Sequence, residues 1–327
     1  MPSRRNLLAA LAALGALPNF AAGAADDFPS HPITIGMPFA AGGPGDVLAR
    51  ILAEGMRASL GQAVIVENIT GAAGSIGAGA VARAAPDGYS LILGNWTTHV
   101  VNAVVYALPY DVVRDFEPVS LVATQPVFVL GRPTLLPNTL QELIAWLKAN
   151  PDKATSGNSG TGSTTQVASV LFQQLTATQF QLIPYRGSAP AMADMLSGQI
   201  DMMFDPAADA LPQIKAGRVR AYAVTARTRL AAAPSVPTTD EAGVPGLHIA
   251  LWNGLWAPRG TPKPVIEKLN AAVVAALAND KLRARIEDLG MEVAPRDEQN
   301  PAALGGFQKA EIAKWWPLIK AAGIKAQ

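Results

Sequence analysis

Two short segments carry the residue types that could do chemistry. The first is Phe39-Ala40-Ala41-Gly42-Gly43-Pro44-Gly45-Asp46; the second is Ser159-Gly160-Thr161-Gly162-Ser163-Thr164-Thr165. Each precedes a stretch with helical spacing, so each is read as a loop that opens a helix. Glycine lets backbone N–H groups approach a ligand closely. The helix N-terminus adds a partial positive charge, so an anion can be held there without an arginine. In the second segment the hydroxyls of Ser159, Thr161, Ser163 and Thr164 offer further donors. The plainer reading is that both segments are tight strand-to-helix turns with helix caps. For either loop alone the two readings weigh equally; two such loops in successive units favour two lobes closing on a small anion.

Other side chains could join such a site. Asp46 is either a cleft residue or a first-turn acid favoured by the helix dipole. Asp205, at a strand end before Pro206, could accept from a ligand amine or hydroxyl, or simply form a turn. Arg186, within Tyr185-Arg186-Gly187, borders the pocket or lies on the surface. Trp96 and Trp252 could cover an apolar ligand, although tryptophans at such places are more often core.

The residues that would make an enzyme are sparse. The chain has no cysteine, which removes disulfides, thiolate metal sites, a cysteine nucleophile and a lipidated cysteine. Its three histidines, His31, His99 and His248, do not stand at metal-ligand spacing. The G-x-S-x-G elbow is missing: Ser159 has Gly157 before it but Thr161 after it, and Ser75 has Gly77 after it but Ala73 before it. No phosphate-loop motif occurs, and Thr165 stands where a dinucleotide fingerprint wants glycine. No catalytic residue, metal or cofactor is therefore expected. A hydrolase using Ser163 or Ser75 stays open only if a histidine or lysine reaches either serine in the fold.

The elements that must position the loops alternate. Apolar strands are read at 33–37, 63–66 and 90–93, with helices at 46–60 and 71–84 between them. A second unit begins near Thr124. It has strands at 125–130, 183–185, 200–204 and 221–224, and helices after Thr139-Leu140-Gln141-Glu142, after Thr165, and at 189–196. Thr139 and Glu142 form a capping box. A strand at 252–256, helices at 264–277 and 280–289, and a last helix interrupted by Pro317 complete the chain. Strand-turn-helix alternation argues for an α/β fold with parallel strands, whose ligands bind at the strand ends.

Composition narrows the class. The 327 residues include 26 basic and 25 acidic side chains, so no basic footprint for nucleic acid exists. The first residues, Ser3-Arg4-Arg5-Asn6-Leu7-Leu8, lead into an apolar run and then Ala22-Gly23-Ala24, a small-x-small cleavage pattern. Residues 1–24 thus read as an export signal, of twin-arginine or ordinary type. Taking Arg4 and Arg5 from the 26 basic residues leaves 24 against 25 acidic ones, a weakly acidic mature chain; an exported chain without cysteine and without a later membrane span suggests the periplasm.

The ordered motifs resemble those of the Bug family, the periplasmic solute-binding proteins associated with tripartite tricarboxylate transporters. The first loop together with Ala49-Arg50 looks like the family's first signature, and Val66-Glu67-Asn68 with Gly71-Ala72-Ala73-Gly74-Ser75-Ile76-Gly77 looks like its second. Pro86-Asp87-Gly88-Tyr89, Asp115-Phe116-Glu117-Pro118-Val119, Pro184-Tyr185-Arg186-Gly187, Gly198-Gln199-Ile200-Asp201 and Glu241-Ala242-Gly243-Val244-Pro245-Gly246 follow in order. Ile69-Thr70 and Thr164-Thr165 depart from the pattern. The resemblance implies a two-lobed, type II periplasmic-binding-protein fold with a cleft between the lobes. It places lobe 1 at residues 25–124 plus 249–327 and lobe 2 at 125–248. It further implies a monomer that captures a small carboxylate and delivers it to membrane transporter subunits, or in an alternative role to a sensor. The ligand-contact residues so expected are Phe39, Ala41, Gly42, Gly43, Asp46, Ser159, Gly160, Thr161, Gly162, Ser163, Thr164, Arg186 and Asp205.

Overall fold

The computed structural model describes residues 28–160 and 162–325. The export signal read in residues 1–24, and Thr161, lie outside the described residues. In chain order the elements are β1 (Ile33–Met37), α1 (Pro44–Leu60), β2 (Val64–Asn68), α2 (Ser75–Ala82), β3 (Ser90–Asn95), α3 (Asn102–Val105) and β4 (Phe116–Gly131). Next come α4 (Leu140–Ala149), β5 (Thr155–Asn158), α5 (Thr164–Thr176), β6 (Gln181–Pro184), α6 (Ser188–Ser197), β7 (Met202–Pro206), α7 (Ala207–Lys215) and β8 (Arg220–Val224). The chain returns through β9 (Ala250–Pro258), α8 (Lys263–Leu277), α9 (Asp280–Asp288), β10 (Glu292–Val293) and α10 (Pro301–Ala321).

Local chemistry explains the helix boundaries. α1 starts with Pro44, whose missing N–H costs nothing at a helix start, and stops at Gly61 in the left-handed region. Thr139 Oγ1 accepts from the Glu142 N–H at 3.1 Å while Glu142 Oε2 accepts from the Asn138 N–H at 2.7 Å. Ser163, Asn279 and Asn300 cap α5, α9 and α10 in the same manner.

The strands follow the order β2-β1-β3-β9-β4-β7-β5-β6, with β10 and β8 also pairing β4. β1 runs parallel to β2 and β3, and β5 runs parallel to β6 and β7. β4 joins the two halves: residues 116–126 pair with β9, and residues 127–131 pair with β7. The result is a two-lobed α/β fold in which one strand belongs to both sheets.

One apolar cluster packs α1 and α8 on the first sheet through Ile35, Leu52, Leu255 and Leu269, and a second packs α6 and α7 on the other sheet through Phe128, Met195, Met203 and Leu211. A third crosses both, from Trp252 and Trp256 to Phe172 and Phe204. α10 lies over it, and the buried Gln308 Nε2 donates to the carbonyls of His99 and Val112 at 2.9 and 2.8 Å. No helix among the described residues is long and apolar enough to cross a membrane.

Two sequence expectations need correction. A strand starting at Gln125 is instead the second half of β4, which runs unbroken through Thr124. The strand tolerates two prolines: its register shifts beside Pro118, and Pro126 faces Ala250, the first residue of β9. The last helix is likewise continuous through Pro317. Pro317 is exposed, so water can satisfy the carbonyl that loses its partner.

Candidate functional site

The carboxyl ends of β1, β3, β5 and β7 face one another beside the crossing strands, and a cavity of about 240 Å³ lies there. Phe39, Gly43, Pro44, Gly45 and Asp46 form one wall, and Ser159, Thr164 and Thr165 form part of the opposite one. Asn95, Thr97, Gln125, Leu251 and Asn253 line it from β3, the turn after it, β4 and β9, and Pro206, Asp209 and Met291 complete the lining. A larger groove of about 620 Å³ runs between residues 108–115 and α10. It collects none of these strand ends, so the smaller cavity is the candidate site.

The first loop is held by Asp46. The Gly42 N–H donates to Asp46 Oδ2 at 2.9 Å, which Gly42 can do because it sits at φ +82°. Arg50 donates to both carboxylate oxygens at 3.0 Å, and Asn68 Nδ2 donates to Oδ1 at 2.9 Å. Arg50 is the main cause that holds the Asp46 carboxyl down at about 2; burial opposes it, and Gly42 and Asn68 reinforce it. The carboxylate is thus neutralised and fully engaged. Asp46 reaches the cavity wall, but as the residue that shapes the loop and presents the first-turn N–H groups of α1.

The second loop satisfies most of its own polar groups. Thr165 Oγ1 accepts from the Ser159 N–H at 2.8 Å and meets the hydroxyls of Ser159 and Ser163, both at 3.0 Å. The Gly160 N–H donates to Asn158 Oδ1 and the Gly162 N–H to Gln166 Oε1. Ser163 Oγ accepts from the Gln166 N–H.

The expected contact residues therefore separate. Phe39, Gly43, Asp46, Ser159 and Thr164 line the cavity. Ala41 and Gly42 stand on the exposed tip of the first loop, and Gly160, Gly162 and Ser163 are outside the lining, their polar groups engaged as above. Arg186 is exposed and outside the lining. Trp96 and Trp252 are core, with relative exposures of 0% and 1%.

Asp205 sits directly behind the cavity, fully buried, and neither carboxylate oxygen has a hydrogen-bond partner. Burial pushes its carboxyl well above the ordinary range, and Asp209 pushes it the same way; the nearby Ser188 hydroxyl offsets this in part without making a well-formed bond. Asp209, one helical turn further on, lines the cavity and is solvent-accessible, and partial desolvation raises its carboxyl as well.

Sequence reasoning missed the amide side chains. Gln125 and Asn253 are each 2% exposed, and Gln125 Nε2 and Asn253 Nδ2 have no partner. A polar residue inside an otherwise apolar strand was the available signal. The buried ring of His99 stacks on Trp256 at 3.8 Å, and its Nδ1 lies 2.9 Å from Thr98 Oγ1. It touches neither serine of the hydrolase alternative. Ser163 bonds only within its own loop, and Ser75 Oγ accepts from Asn102 Nδ2 at 3.0 Å. Among the described residues no histidine or lysine bonds to either.

Comparison with known proteins gives the family and the fold. A family model described as the tripartite tricarboxylate transporter family receptor matches residues 48–324. A UPF0065 protein of Agrobacterium vitis is 41% identical over 300 residues, covering 92% of this chain and 87% of its own length. The structure of the periplasmic binding protein BugD is 41% identical with a TM-score of 0.78, covering 92% of this chain and 100% of that one. MatC from Rhodopseudomonas palustris, solved with bound malate, is 37% identical with a TM-score of 0.78, covering 89% and 100%. The family model is that of a receptor and BugD is a periplasmic binding protein, so the chain is a binding protein by family and not an enzyme.

Proposed function

The chain belongs to the tripartite tricarboxylate transporter receptor family, and from that premise we propose that it captures a small carboxylate between its lobes and delivers it to a membrane transporter. The observation that carries this reading is the cavity of about 240 Å³ at facing strand ends, with two buried amide donors that have no protein partner. Leaving such donors unsatisfied costs about 1–3 kcal/mol each, a cost that a ligand oxygen accepting from them would remove. The relative MatC was solved with a carboxylate, malate, bound.

In this reading the N-termini of α1 and α5, one from each lobe, face the ligand carboxylate, and Thr164 and Ser159 add hydroxyls. Lobe 1 comprises residues 25–124 and 249–327, and lobe 2 residues 125–248. Residues 1–24 direct export, and the mature monomer works in the periplasm. A ligand bridging both walls favours the closed arrangement through contacts that the open one lacks.

The test is a thermal-shift screen of mono-, di-, tri- and aromatic carboxylates. A ligand at 100 times its Kd stabilises the fold by about 2.7 kcal/mol, which raises the melting temperature. If no acid raises it, the carboxylate reading is wrong.

A further inference from the structure

The charges around the cavity are uneven. Among the described residues that line it there is no lysine, arginine or histidine. Two carboxylates reach it. Asp46 is neutralised by Arg50. Asp209, in the first turn of α7, has no charged or hydrogen-bonding partner that would lower its carboxyl, and Asp205 is buried behind it with both oxygens unpartnered.

The three helix N-termini at the cavity therefore differ. Those of α1 and α5 present backbone and hydroxyl donors, with Asp46 cancelled. That of α7 presents an unpaired acid. Independently of the acids, the unpartnered amides of Gln125 and Asn253, on residues 98% buried, mark the space between as a ligand site.

A ligand in this space meets the donors of α1 and α5 and, on the same lining, the unpaired carboxylate of Asp209. A second ligand carboxylate beside Asp209 would find no counter-charge, and like charges close together are strongly unfavourable. A positively charged nitrogen would find one. The geometry points to Asp209 as a specificity-determining residue that selects carboxylates bearing a cationic amino group and rejects dicarboxylates. This rests on the proposed carboxylate capture and deepens it. It also sets this chain apart from MatC, whose bound malate carries two carboxylates.

The test is isothermal titration of the purified protein with two matched series. One is 6-aminohexanoate, hexanoate and adipate; the other is 4-aminobutanoate, butanoate and succinate, so that ligand length is sampled separately from charge. In at least one series the amino acid is expected to bind about tenfold or more tighter than the diacid. In Asp209→Asn this gap is expected to fall below about threefold. Asp209 is exposed, so the variant should fold, and its melting curve checks this. A diacid binding as tightly as its amino partner in both series overturns the proposal, and so does a gap that survives in Asp209→Asn. Failure of all six acids to bind the wild-type protein overturns the carboxylate reading itself, and this proposal with it.

Discussion

His99 makes a sharp prediction about pH. Its ring is fully buried, stacked on Trp256, and close against Gly94, where an added Cβ would meet the ring at 2.2 Å. Nε2 has no partner. Burial alone pulls its pKa from the ordinary value of 6.5 down to about 3, so the folded protein keeps the ring neutral. The unfolded chain takes up a proton as pH falls below 6.5. The folded-state pKa being the lower one, the stability this supplies is complete above pH 6.5 and is lost as pH falls toward 3. The loss is about 1.4 kcal/mol per pH unit, or about 2 kcal/mol between pH 7.5 and 5. For a chain of this size that lowers the melting temperature by about 4 °C. Other groups titrate too, and the raised carboxyl of Asp205 acts in the opposite direction. The contribution of His99 is therefore read as a difference between wild type and His99→Phe, which keeps a ring against Trp256 but cannot ionise. Urea unfolding of both at pH 7.5, 6.5, 5.5 and 5 should show stabilities converging, or crossing in favour of the variant, by about 2 kcal/mol at the acid end. Parallel pH profiles would refute the claim that the native site keeps this ring uncharged.

Two further substitutions probe the cavity walls. Asp46→Asn removes the charge that Arg50 and Gly42 share, and should cost about 1–3 kcal/mol while weakening ligand affinity; because the native pKa is depressed to about 2, the wild-type advantage should persist above pH 4 and vanish as pH falls toward 2, which acid titration of both proteins would detect. Asn253→Leu discards a buried amide whose Nδ2 has no protein partner, so the melting temperature of the free protein should change little or rise. Affinity for any ligand found in the thermal screen should fall about tenfold or more; retained affinity would show that this amide does not meet the ligand.

What the sequence disclosed was local. The first loop could be read because glycine, proline and an acid punctuate a strand-to-helix turn within eight residues, and the capping box at Thr139 and Glu142 works over three. The floor of the cavity could not. Asn95, Gln125 and Asn253 become neighbours only through antiparallel registers that pair Asn95 and Ala123 with Asn253, and Gln125 with Leu251. Asp205 drew attention because it ends an apolar strand, yet the fold buries it. The acid that reaches the cavity is Asp209, one turn into a helix that periodicity had not marked. The second loop offered the right donors by type, but type does not reveal that Thr165 would gather them for itself.

The crossing between the lobes ties these observations together. Any rotation of one sheet against the other must pass through β4 and the start of β9, since β4 belongs to both sheets. Pro126, where β4 leaves β9 for β7, has no N–H to add to the ladder. Thr225 stands at the same level: its hydroxyl accepts from the Val127 N–H at 2.9 Å and donates to the Ile249 carbonyl at 2.6 Å, while its own N–H donates to the Val127 carbonyl at 2.9 Å. One side chain thus couples both crossing segments, so they are constrained to twist together. The unpartnered donors of Gln125 and Asn253 lie on those same two strands, next to the pivot. A ligand oxygen that satisfied them would bind where the lever arm is shortest and would barely move as the lobes turn. In the proposed closure, the walls formed by the first loop and by Thr164 would travel more. On this geometry the floor contributes affinity that is nearly indifferent to closure, whereas the walls supply the differential contacts that closure requires.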